Sequence, residues 1–129
     1  MCDFCCIKNG RGVLNMKLKL LEKSKMFYHG SPYKLEYLKE DCDFTPYKEI
    51  AVAFGSKPLS ISVNDNNIYF NPSITTIYLY QVDEKIVYNE DYYDRPRSTF
   101  EKGYELRAKR KLKLKLIQII NDINDYVQD

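Results

Sequence analysis

Tryptophan is absent, histidine occurs once, and glycine and proline occur only five times each. The few glycines form no P-loop and no Rossmann fingerprint, and a lone histidine excludes an HExxH metal site. No segment approaches the run of about 18 apolar residues that a membrane-spanning helix requires, so no membrane partner is expected. Neither charge dominates: 20 basic and 18 acidic residues leave a net +2, which is no overall signature of polyanion binding. Cysteine is scarce in the body of the chain. Cys2, Cys5 and Cys6 crowd the start and Cys42 stands apart, and bridging near neighbours does not staple a fold. The start also lacks the apolar stretch of a secretory signal. A reducing, cytoplasmic compartment is the default that follows. Cys2-x-x-Cys5-Cys6 has no second ligand pair at zinc spacing, so no metal is expected.

What the chain does contain is enough for one compact domain. Its 129 residues are 44% hydrophobic and 29% charged, which allows a buried core under a polar surface. Twelve tyrosines and six phenylalanines favour strands and can also wall a pocket for planar ligands. Residues 1–25 differ in character from the rest and read as a flexible or short helical extension, with residues 26–129 forming the domain. The fold class expected is α+β.

The pattern along residues 26–129 is mainly that of strands. Met26-Phe27-Tyr28-His29 is a short apolar run ended by Gly30-Ser31-Pro32, a strand entering a turn. Thr45 and Pro46 suit an N-cap and a first helical position. Ile50, Ala51, Ala53 and Phe54 then give a short helix its apolar face, with Gly55 as its stop. Leu59–Val63 alternates, Asn64-Asp65-Asn66-Asn67 is a turn, and Ile68–Phe70 resumes the strand. Thr75–Val82 is the most strand-like segment, whereas Tyr92–Lys102, polar and carrying Pro96, reads as a loop. From Glu105 to Ile119 apolar and basic residues alternate, the period of one half-buried strand or a pair. Asn121–Val127 closes the chain as a short amphipathic helix.

Three pieces occur in order: Tyr28-His29-Gly30-Ser31, the Phe44-Thr45-Pro46 segment with its helix ending at Phe54, and Tyr104-Glu105 opening a late strand. Together they resemble the ADP-ribosyltransferase superfamily, in the branch of diphtheria toxin and the poly(ADP-ribose) polymerases, over roughly residues 26–120. The resemblance implies a split antiparallel β-sandwich with a few short helices. It implies an NAD-dependent mono-ADP-ribosyltransferase acting on a protein or nucleic-acid acceptor, with NAD as co-substrate. His29 and Glu105 would be the catalytic residues, and His29, Gly30, Ser31, Phe44 and Phe54 would surround NAD. Glycine permits a close backbone approach to the carboxamide. A carboxylate at Glu105 would stabilise the oxocarbenium-like state formed as nicotinamide leaves. Three positions depart from the family pattern: Asp43 replaces a tyrosine, Ala51 a serine, and Gly103 stands two residues before the glutamate. The competing reading is a catalytically inactive module of the same fold that holds nucleic acid or an acidic partner on its basic strand. Each residue also has a plainer reading: His29 as a hydrogen-bonded core histidine, Phe54 as core, and Glu105 as a solvated strand-edge charge.

Overall fold

The computed structural model describes residues 16–21, 23–98 and 100–126. Ten strands follow in chain order among these residues: β1 (Met16–Lys19), β2 (Tyr28–Ser31), β3 (Tyr37–Leu38), β4 (Asp43–Phe44), β5 (Ile61–Asn64), β6 (Asn67–Phe70), β7 (Ile77–Val82), β8 (Tyr92–Asp94), β9 (Leu106–Ala108) and β10 (Leu112–Ile120). One α-helix, α1 (Lys48–Gly55), lies between β4 and β5, and a 3-10 turn (Ile123–Asp125) follows β10. All strand pairs are antiparallel, arranged as β1-β6-β5, β2-β7-β10-β3 and β4-β9-β8. The described residues are thus mainly antiparallel sheet with one helix, a small α+β arrangement. No helix among the described residues is long and apolar enough to cross a membrane.

The alternating segments form the strands expected of them. Asp65 and Asn66 take positive φ in the turn joining β5 to β6, a conformation that Asn and Asp tolerate best among residues with a side chain. The basic-apolar alternation late in the chain becomes β9 and β10, and Tyr92–Asp94, which composition marks as loop, pairs with β9. That pairing is set by β9 and not by any period in the loop itself.

Helix α1 starts later than its capping signals indicate. Tyr47 occupies the N-cap without a side-chain capping bond. Thr45 is unavailable because its backbone exchanges two hydrogen bonds with Tyr28, at 2.7 and 3.0 Å, and its hydroxyl accepts from the Tyr47 amide. The stop also shifts. Gly55 is the last helical residue, and it is Lys57 that takes the left-handed φ of 51°. Gly55 serves packing instead, since a Cβ there would lie 2.6 Å from Cγ2 of Ile77.

Two apolar clusters form the interior. One joins α1 to β1, β5, β6 and β7, and to Ile120 and Ile123. The other joins β3, β4, β7, β9 and the start of β10. The N-terminal boundary suggested by composition lies too late. Met16–Lys19 pairs along β6, and Leu18 and Leu20 are buried in the first cluster. The Leu21 amide also donates to the buried carboxylate of Glu49 at 2.8 Å. The residues before Met16, including Cys2, Cys5 and Cys6, lie outside the described part. Cys42 is buried and disulfide-bonded, so the cysteine pattern no longer argues by itself for a reducing compartment. The expected terminal helix is, in its described part, the single 3-10 turn, which Asp122 caps by accepting from the Asn124 amide.

Candidate active site

Strand β4 lies between β2 and β9. Tyr28 bridges to Thr45 on one side, while Asp43 and Phe44 pair with Arg107 and Leu106 on the other. This short strand therefore connects the His29 segment to the Glu105 segment.

His29 is buried, and its Nδ1 lies 2.8 Å from the backbone carbonyl oxygen of Asp43. A carbonyl can only accept, so Nδ1 is the nitrogen that carries the proton. Burial pushes the imidazole pKa down to about 4; the Asp43 carbonyl opposes that shift and the charge of Lys57 adds to it. His29 is accordingly neutral near pH 7.

The Asp43 side chain reaches the other way. Arg107 Nε donates to its Oδ1 at 3.1 Å, and Arg95 Nε faces its Oδ2 at 3.4 Å. Arg95 Nε is buried and makes no hydrogen bond, so the second contact is ionic only. Desolvation raises the Asp43 pKa, the two arginines oppose that rise, and the nearby charge of Glu105 adds to it. Arg95 then bonds to Glu105, Nη1 to Oε2 at 3.0 Å, while the Ser98 hydroxyl donates to Oε1 in a short bond. Glu105 is 2% exposed. Buried carboxylates cost several kcal/mol each, as an order of magnitude, unless they are paired and hydrogen-bonded. The two guanidiniums and the serine provide that pairing.

The structure thus joins His29 and Glu105 through Asp43 and Arg95. The segment carrying Arg95 and Ser98 folds back over the glutamate, with the Arg95 amide also donating to the Glu105 carbonyl at 3.0 Å. Beside it lies a cleft of about 440 Å³ bordered by Tyr88, Tyr93, Arg97, Ser98 and Glu105.

The remaining candidates sit elsewhere in the packing. Gly30 faces helix α1, and a Cβ there would fall 1.9 Å from the Ala51 carbonyl oxygen. Its bare Cα is therefore filled by the helix. The Ser31 hydroxyl is buried and accepts from the Tyr33 amide. Phe44 packs in the second cluster against Phe27 and Tyr92, with centroids 5.6 and 5.5 Å away. Phe54 lies in the first cluster, 5.7 Å from Phe100. Phe100 and Tyr104 continue that row toward Tyr47 and wall a second cleft of about 460 Å³ against the β5–β6 hairpin. Both phenylalanines assigned to NAD thus have their rings in apolar packing.

Arg95, Ser98 and Arg107 escape a reading by motif. Arg107 meets Asp43 by strand pairing across 64 residues, and Arg95 and Ser98 reach Glu105 from the segment that folds back over it. The one hint is Asp43 itself, an acid within an apolar-aromatic segment. Among the described residues no cluster of three His, Cys, Asp or Glu is arranged to hold a metal ion. No protein-family model, curated protein or solved structure matches this chain.

Proposed function

We propose that this protein is an NAD-dependent mono-ADP-ribosyltransferase acting on a protein or nucleic-acid acceptor. The observation that carries this reading is the buried Glu105 carboxylate, bordering a cleft and joined through Arg95 and Asp43 to a neutral His29. The motif order that resembles the superfamily supplies the chemistry. As the glycosidic bond breaks, nicotinamide leaves with the electron pair and positive charge develops on the ribose. Glu105, released from Arg95 and Ser98, accepts a hydrogen bond from the 2′-hydroxyl and stabilises that charge. His29 holds a ribose hydroxyl. The acceptor nucleophile then bonds to the anomeric carbon and loses its proton.

NAD glycohydrolase and self-modification assays on the whole chain, beside a Glu105→Gln variant, test this reading. The expected loss is at least about 10²–10³-fold, with the native circular dichroism spectrum retained. Equal turnover by both proteins would remove Glu105 from the mechanism.

The same arrangement also supports a non-catalytic module. Glu105 is engaged by Arg95 and Ser98, Phe44 and Phe54 are core, and Lys113 and Lys115 are exposed on β10. In that case neither protein turns over NAD, and nucleic-acid binding weakens steeply with salt. Replacing Lys113 and Lys115 with glutamine would weaken it further.

A further inference from the structure

Strand β10 has one edge covered by β7 along most of its length, but among the described residues the other is covered only at its start. There β3 pairs with Leu112 and Lys113, and the Leu114 amide donates to the Glu36 carbonyl. From Lys115 to Ile120 no described backbone group bonds to that outer edge. Unpaired edges of this kind are templates for another strand, and lysines are a common guard against it. The guard here stops at Lys115.

The pleat changes beyond it. Leu112 and Leu114 point inward, and continued alternation would bury Leu116 as well. A register shift between Leu116 and Gln118 turns consecutive apolar side chains outward, as bulges do. Leu116 is 42%, Ile117 36% and Ile119 46% exposed. An apolar group thus lies beside an open edge.

We infer that this surface binds a second copy of the chain, with the two β10 strands antiparallel about Gln118. Charge selects that occupant. Lys113 and Lys115 are exposed at one end of the segment, and Asp122 and Asp125 are exposed at the other. Antiparallel pairing sets the basic end of each copy beside the acidic end of its partner. Ile117 then meets Ile119 across the axis, so the same patch serves both copies and the assembly closes as a dimer. A single paired edge is smaller than a stable interface of about 800 Å² per partner, so micromolar association is expected.

Sedimentation equilibrium of the whole chain, over concentration and salt, tests this. The expected result is a monomer–dimer equilibrium that added salt weakens. Ile119→Lys should raise the dissociation constant at least about tenfold, equivalent to ~1.4 kcal/mol, without lowering the melting temperature. Lys115→Glu should weaken the dimer and reduce its dependence on salt. A monomer up to about 0.5 mM, a concentration that populates even weak dimers, would overturn the inference. So would a dimer indifferent to Ile119→Lys, or open-ended growth beyond two copies.

Discussion

The imidazole of His29 donates from Nδ1 to the backbone carbonyl of Asp43 across 2.8 Å, so the residue that orients the histidine is the one whose side chain holds Arg95 and Arg107. Main chain and side chain of Asp43 serve two different partners. The stability and the chemistry of this region are therefore linked at a single position.

Acid should expose the buried histidine. Its pKa is about 4 in the fold against 6.5 for an unperturbed imidazole, so between these values the unfolded chain binds a proton that the fold excludes. Stability contributed by this group is complete above pH 6.5 and falls by about 3 kcal/mol as the pH reaches 4. Asp43, with its raised pKa, acts oppositely: the fold takes up its proton first, which offsets part of the loss in the carboxylate range. Urea unfolding from pH 7 to pH 4 should show a shallower slope for His29→Gln than for the parent protein.

Removing the carboxylate of Asp43 should leave Arg107 without its carboxylate partner and Arg95 with Glu105 alone. Asp43→Ala is expected to cost about 2–4 kcal/mol, measured as a lower denaturant midpoint. Loss of under half a kcal/mol would mean that Arg95 finds sufficient compensation in Glu105 alone.

Gly30→Ala puts a methyl group within 1.9 Å of the Ala51 carbonyl oxygen. Backbone on backbone cannot yield by a side-chain rotation, so helix and strand must separate, at about 3 kcal/mol or more. A thermal melt decides the point. An unchanged melting temperature with impaired NAD binding would instead make this glycine a ligand contact.

Truncation to residues 26–129 should destabilise the domain, because it removes β1 and the buried Leu18 and Leu20. Leu20→Ala alone is expected to cost about 3 kcal/mol. Comparing circular dichroism melts of the fragment, the variant and the parent tests both expectations together. A fragment as stable as the whole chain would show that β1 contributes nothing.

Periodicity carried much of the architecture. The β-branched and aromatic composition of β7, the alternation of β10, the Asn-rich turn between β5 and β6 and the apolar face of α1 are local patterns, so they were legible in the sequence. β1 escaped because four residues with two lysines look like the polar segment around them; its partner β6 defines it. The start of α1 was misplaced because tertiary pairing with Tyr28 overrode the capping tendency of Thr45. His29 and Glu105 stood out by residue type and order, whereas Arg95 and Ser98 did not. Their role depends on a chain reversal over Glu105 that no local rule encodes.

The placement of β4 also affects the order of folding. It joins β2, early in the chain, to β9, late in it, so the candidate site exists only after widely separated segments have met. Contacts of such long sequence separation form slowly, because loop closure is costly before it is rewarded. The helix and the β5–β6 hairpin can form beforehand, but the chain linking histidine to glutamate cannot. During synthesis, the site therefore assembles after the helix and hairpin, once β9 is free to pair with β4.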